Sequence, residues 1–220
     1  MKKLIIAIDG PSGAGKGTVA RTVSEHLGYR HIDTGAMYRA VAWKAHHDGL
    51  SLDDESSVAA LATRAELTVE GGLVAIDGHD VTRDIRTPEV DKAAASVARL
   101  GKVREVLVRR QRDQGRDGGV VMEGRDIGTV VFPNADVKVY LDASPEERAR
   151  RRANDPAHTG SRAGQAAVAE AIEARDKSDT TRTVSPLTLA SDAEYLDTTA
   201  MPIAAVVERV MALVKIRLEA

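Results

Sequence analysis

Nine consecutive residues combine the groups that hold a chain of phosphates: Gly10-Pro11-Ser12-Gly13-Ala14-Gly15-Lys16-Gly17-Thr18. Glycine turns where a Cβ would obstruct, so successive backbone N–H groups can converge on phosphate oxygens. A helix opening directly after such a loop adds its N-terminal partial positive charge. A lysine at that point reaches the β- and γ-phosphates as they separate. The flanks suit this chemistry. Lys3 to Ile8 is a short isoleucine-rich run that reads as a buried strand. Lys16 to Leu27 has helical spacing at Val19, Val23 and Leu27, with Gly28 where the helix should stop. Strand, glycine loop and helix are the context of a P-loop. All nine residues are therefore candidate triphosphate ligands, and Lys16 is a candidate catalytic cation.

A triphosphate site needs an acceptor, and three further segments carry groups suited to one. Asp33-Thr34-Gly35-Ala36-Met37-Tyr38-Arg39 opens a helix with a small hydroxyl residue and places Arg39 about one turn in. Gly124-Arg125-Asp126-Ile127-Gly128-Thr129-Val130-Val131-Phe132-Pro133 follows a strand end, where α/β sheets bind ligands. Arg175, Asp179 and Arg182 fall at i, i+4 and i+7, on one face of a helix or just past its end. The basic residues are 22 arginines against 9 lysines, and the guanidinium fork matches phosphate and carboxylate. Arg148, Arg150, Arg151 and Arg152 admit two readings, an ordinary charged helix or a lid whose Arg151 and Arg152 cover the transferring phosphates. Arg109, Arg110 and Arg112 read as solvated or structural. The six histidines have no metal spacing.

The elements that must position these groups alternate between strand and helix, which predicts a parallel sheet covered on both faces. Helices are expected from Gly35 to His47, near Glu55 to Thr63, and as one long helix from Val90 to about Gln114. Between them, Leu67-Thr68-Val69-Glu70 and Leu73-Val74-Ala75-Ile76 are joined by Gly71-Gly72, a hairpin signal, with a further turn at Asp77-Gly78. Strands follow at Val120 to Met122 and Val137 to Leu141. Ser144 is an expected N-cap, with Pro145 first in the helix and Glu147 closing a capping box. Asn154 to Gly164 reads as a loop, Gln165 to Asp179 as a helix and Tyr195-Leu196 as a strand. Ile203, Val206, Val207, Val210, Val214 and Leu218 mark a closing amphipathic helix.

Composition narrows the function classes. The chain has 220 residues, 43% of them apolar and 29% charged, with a net charge of −2. These values fit one globular domain and neither a disordered chain nor a basic nucleic-acid binder. Zero cysteines exclude disulfides, thiolate zinc sites and cysteine nucleophiles. The apolar run after Lys2-Lys3 is five residues long before Asp9, short of a signal core of roughly 7–15. A cytoplasmic protein with no membrane segment is expected. Aromatics are 3% with no stacking stripe, and the guanine-reading Asn-Lys-x-Asp string of GTPase switches is absent.

Taken together, the loop and the three segments resemble the bacterial cytidylate kinases, nucleoside monophosphate kinases of the P-loop class. The Gly-Lys-Gly-Thr form of the loop is similar to theirs, and the resemblance runs from Ile6 to Leu213. It implies one P-loop kinase domain over 1–220: a parallel sheet flanked by helices with core segments at about 1–30, 117–147 and 165–220. A monophosphate-binding insertion at about 31–116 carries the antiparallel element, and a short lid spans about 148–164. The implied reaction is transfer from ATP to CMP and dCMP, with Lys16, Arg125, Arg151 and Arg152 at the moving phosphoryl group. Arg39, Arg125 and Arg182 would hold the acceptor phosphate, with Thr34 near it. Arg175 and Asp179 would meet the ribose, and Arg104 and Asp126 the base. The family often carries a serine near the base before Arg104; here Ala93, Ala94 and Ala95 precede Ser96, which is the candidate for that place.

The last pair also makes chemical sense by itself. A carboxylate accepts from cytosine's amine and a guanidinium donates to the neighbouring ring acceptors, whereas uracil turns a carbonyl toward the carboxylate. A kinase for UMP or for a non-nucleotide acceptor would share the loop but need another reader. Gly17 occupies the place where P-loops usually carry the Mg²⁺-binding hydroxyl, with Thr18 one residue later. Mg²⁺ is therefore expected with ATP, held mainly through phosphates and water, with no protein metal site. The expected partners are ATP and CMP or dCMP alone, bound by a monomer that contacts neither nucleic acid nor membrane.

Overall fold

The structure, a computed structural model, describes residues 3–155 and 164–219. Five strands, β1 (Ile5–Asp9), β2 (Arg30–Asp33), β6 (Val120–Gly124), β7 (Val137–Asp142) and β8 (Glu194–Asp197), pair in the order β2-β6-β1-β7-β8. Every pairing is parallel. The central strand β1 is therefore buried on both faces, which is why its sequence is continuously apolar. Helices α1 (Lys16–Leu27) and α8 (Ile203–Glu219) cover one face, packing Val19, Val23, Val206 and Val210 on Ile6, Ile8, Val139 and Leu141. Gly28 ends α1 in the left-handed conformation at φ +64.

A second core belongs to the insertion. Helices α2 (Thr34–His47), α3 (Glu55–Arg64), α4 (Pro88–Val97) and α5 (Gly101–Gly115) surround the antiparallel sheet of β3 (Leu67–Glu70), β4 (Leu73–Ile76) and β5 (His79–Asp80). Met37, Val41, Leu61, Val74, Ile76, Ile85 and Leu107 fill it. On its other side α5 places Val108 against Ala7, Val120 and Met122 of the main sheet. The remaining helices, α6 (Pro145–Ala153) and α7 (Gln165–Thr181), pack together through Ala149, Val168 and Ile172.

Four local features differ from the sequence reading. The edge strand β2 was not foreseen, having only Ile32 fully buried among its four residues. The helix expected from Val90 to Gln114 is two helices broken at residues 98–100. Its freed Ala98 carbonyl accepts from Arg104 Nη1 at 3.3 Å, and Glu55 Oε1 accepts from the Lys102 N–H at 3.0 Å. Periodicity contains neither partner. Ser144 does cap α6, accepting from the Glu147 N–H at 3.2 Å, but Glu147 turns its carboxylate to Arg150 and Arg151. The Ser144 N–H donates instead to Thr199 Oγ1, so the reciprocal half of the capping box is not made. Finally, Ile127–Val131 forms a π-helical turn. No described helix is long and apolar enough to cross a membrane.

Candidate nucleotide site

The loop 10–18 lies at the C-terminal end of β1, and its shape depends on missing side chains. A Cβ on Gly10 (φ +145) would lie 2.0 Å from the Leu141 carbonyl, and one on Gly13 (φ +79) 2.8 Å from that of Arg148. Only glycine fits either position. Lys16 is buried and curls back to donate to the Pro11 carbonyl at 2.6 Å. Burial, reinforced by the neighbouring Arg125 charge, lowers its pKa to about 7. Thr18 is exposed at the start of α1.

Helix α6 and the C-terminal half of α7 brace this loop. Arg148 donates from Nη1 to the Ser12 carbonyl at 3.0 Å and pairs with Asp176, whose other oxygen accepts from the Ser12 N–H at 3.1 Å. Arg152 reaches Ser12 Oγ at 3.0 Å. Arg151 lies across Thr198, with Nη1 3.4 Å from the Ala14 carbonyl. Arg150 pairs with Glu147 on the exposed side. The four arginines thus divide: Arg151 and Arg152 reach the loop, Arg148 buttresses it and Arg150 faces solvent. Within the expected lid, residues 156–163 lie outside the described residues.

The acceptor candidates form a web of guanidinium and carboxylate groups. Asp179 accepts from Arg125 Nε at 2.8 Å and from Arg175 Nε at 3.3 Å, and its other oxygen lies 3.7 Å from Arg182 Nη1. Burial alone would raise the Asp179 pKa, but Arg125, Arg175 and Arg182 hold it at about 2. Arg182, just past the end of α7, also lies 3.6 Å from Asp126 Oδ1. Asp126 Oδ2 in turn accepts from the buried Arg104 at 2.5 Å. Arg104 spreads over the Tyr38 ring, 5.5 Å from its centroid. Asp9 anchors this segment, accepting from the Ile127 and Gly128 N–H groups at 2.8 and 2.7 Å.

At the other margin, Asp33 caps α2 by accepting from the Ala36 N–H at 2.9 Å. Its Oδ2 takes Arg39 at 2.8 Å and Arg86 at 3.2 Å. Burial opposes its ionisation, yet Arg39 and Arg86 drive its pKa well below the usual carboxylate range. Thr34 is buried and donates to the Glu123 carbonyl at 2.7 Å. Ser96 is exposed on α4, with no side-chain hydrogen bond to this web among the described residues; the structure leaves it outside the cluster. Arg110 and Arg112 are structural, donating to the Thr63 and Ala65 and to the Val130 and Val131 carbonyls.

Glu123 lies beside the lysine end of the loop. Its Oε1 is 3.0 Å from His31 Nε2 and 3.1 Å from where a Gly17 Cβ would stand. The glycine that removes the usual hydroxyl therefore leaves room for a carboxylate. Among the described residues no three His, Cys, Asp or Glu side chains group as a metal site. The donor set suits a cation held chiefly by phosphates and water, with Glu123 beside it. Arg86, Arg148, Asp176, Asp9 and Glu123 were not singled out as site residues in the sequence. Arg86 had only the arginine excess as a signal, whereas Arg148 stood in the Arg148–Arg152 run but without a sign of its role under the loop.

A parallel sheet carrying a P-loop at one strand end, beside a cluster of arginines paired with carboxylates, defines a P-loop kinase. The chain belongs to the cytidylate kinase family, whose description matches residues 6–216. It is 52% identical over 212 residues to the cytidylate kinase of Pelotomaculum thermopropionicum, covering 94% of each chain. It is 47% identical over 221 residues to that of Desulfitobacterium hafniense, covering 99% of this chain and 95% of the relative. A gluconokinase from Sinorhizobium meliloti shares the fold alone, with a TM-score of 0.53 at 15% identity over 99% of this chain and 95% of that one.

Proposed function

We propose that this kinase transfers the γ-phosphoryl group of ATP in line to CMP and dCMP. The observation that carries the reading is the nearness of two charge systems. Arg125, held by Asp179, lies close enough to Lys16 to lower its pKa, and Arg152 joins the loop while sharing the field of Arg39 and Arg125. A donor phosphate on the loop and an acceptor phosphate among the arginines would then be neighbours, the arrangement that phosphoryl transfer requires.

In this reading the loop residues Gly10 to Thr18 hold the donor phosphates, and Lys16, Arg125, Arg151 and Arg152 stabilise charge on the group in flight. Arg39, Arg125 and Arg182 take the acceptor phosphate beside Thr34, Arg175 and Asp179 orient the ribose, and Arg104 with Asp126 reads the base. Mg²⁺ bound with ATP would offset phosphate charge, with Glu123 the protein group available to its water shell. No general base is needed, because the acceptor phosphate is already anionic. The division into a core, a monophosphate-binding region at about 31–116 and a lid at about 148–164 belongs to the same reading.

The test is ADP formation from Mg·ATP with CMP, dCMP, UMP, AMP and no acceptor in parallel. Strong turnover with CMP and dCMP, weak turnover with UMP and none otherwise is expected. Preference for UMP or AMP would discard the Arg104–Asp126 assignment, and acceptor-independent hydrolysis alone would discard the transfer.

A further inference from the structure

Tyr38 stands in the block that opens α2, yet none of the contacts assigned to the phosphates, the ribose or the base uses it. It is buried in the core of the insertion, and burial pushes its phenol up to about 12, so the ring is neutral. A ring that only filled this core would need no cation on its face. Tyr38 instead carries the Arg104 guanidinium there, with Cζ 5.5 Å from the ring centroid. Both groups are out of water, the condition under which an aromatic face holds a cation most firmly.

Arg104 is held from three directions. Its Nη2 donates to Asp126 Oδ2 at 2.5 Å, its Nη1 donates to the Ala98 carbonyl at 3.3 Å, and the Tyr38 ring lies against its face. Its buried Nε has no hydrogen-bond partner among the described residues, so this donor is left for a ligand. On the far side of Asp126, Arg182 Nη2 lies 3.6 Å from Oδ1. Arg182 and Tyr38 each act on the other's ionisation, so the ring is near both guanidiniums that flank the carboxylate.

Orientation matters here because a guanidinium carries N–H donors all round its edge. Free to turn, it would satisfy the ring acceptors of cytosine and the carbonyls of uracil alike. Discrimination between them requires that it be held. We infer that Tyr38 is a positioning residue for base selection: its aromatic face keeps the Arg104 guanidinium in the orientation that favours cytosine over uracil. The inference rests on the proposed Arg104–Asp126 reading and adds the residue that keeps that pair in register.

The experiment measures kcat/KM for CMP and for UMP in wild type, Tyr38→Phe and Tyr38→Leu. Wild type comes first: an absent preference for CMP refutes the base reading itself, and the inference falls with it. With the preference established, Tyr38→Leu keeps apolar bulk without the ring face. It should lower the CMP-to-UMP ratio about tenfold, through a higher KM for CMP. Tyr38→Phe keeps the face and should hold the ratio within about twofold of wild type. KM for ATP should stay within about twofold in both variants. A purely structural role would weaken both acceptors together and leave the ratio unmoved, and that result overturns the inference. A lost ratio in Tyr38→Phe overturns it too, because the hydroxyl and not the face would then be responsible. Should Tyr38→Leu fail to fold, Tyr38→Met takes its place and is read by the same ratio.

Discussion

Lys16 gives a prediction that needs no knowledge of the acceptor. With a pKa of about 7 in the ligand-free protein, it carries a proton in about half of the molecules at pH 7 and in about a tenth at pH 8. Two causes hold it there, burial first and then the Arg125 charge, and a bound phosphate chain reverses both by placing anions against Nζ. Binding of Mg·ADP should return the pKa toward its ordinary value of 10.5, taking up about 0.5 proton at pH 7 and about 0.9 at pH 8. Affinity should accordingly fall about fivefold between pH 7 and pH 8, since binding draws on the protonated fraction. The assay is titration calorimetry in buffers of different ionisation enthalpy, whose slope reads the proton number directly. Lys16→Met should abolish the slope. Zero uptake at pH 8, or uptake that grows toward pH 6, would refute the reasoning.

Two further outcomes follow from the loop's supports. Arg148→Ala strands Asp176 without its ion-pair partner and frees the Ser12 carbonyl; it should cost about 3 kcal/mol in urea denaturation and raise KM for ATP. Arg150→Ala, removing a solvated pair, should leave the denaturation midpoint unchanged. Gly10→Ala combines φ +145 with a 2.0 Å clash against backbone and should give no folded protein, a loss above about 4 kcal/mol. Gly71→Ala, at φ +58 in open space, should cost about 1 kcal/mol; comparable losses in the two variants, read from urea denaturation or soluble yield, would refute the packing argument.

What was legible in the sequence was local. The glycine loop, the stop at Gly28, the Gly71-Gly72 hairpin and the α6 cap are each written in residues a few positions apart. The Arg175, Asp179, Arg182 spacing belongs with them, and the structure joins the three at one carboxylate. Pairings across long separations were not legible. Arg148 meets Ser12 at a distance of 136 residues and Arg86 meets Asp33 at 53, and neither leaves a periodic trace. The break before α5 was hidden for the same reason, since Arg104 and Glu55 satisfy the freed backbone from outside the apolar pattern. Strand β2 escaped because one buried residue in four is too little alternation to read.

The same long-range pairs explain why ionised groups are kept where burial opposes them. Asp9 is buried and its pKa is raised to about 6, with desolvation the chief cause and the Ile127 and Gly128 N–H groups opposing it. A carboxyl whose folded pKa exceeds its unfolded value favours the fold when protonated, so stability from Asp9 is lost as pH rises through 6, on the order of 3 kcal/mol in all. Lys16 has the opposite sign: its folded pKa is depressed, so the fold gains as pH rises from 7 toward 10.5. At pH 7 Asp9 is mostly ionised and Lys16 about half protonated, and each charge works against the fold. An uncharged residue at position 9 would remove one penalty, but an amide there could not accept from both N–H groups. Those two N–H groups fix the turn directly after Arg125 and Asp126, so the Asp9 charge ties the P-loop strand to the segment that grips Asp179 and Arg104. The stability lost at β1 is therefore coupled to the placement of Arg125 and Asp126 beside Lys16, and a bound nucleotide, by supplying the missing anions, offsets the Lys16 part of it.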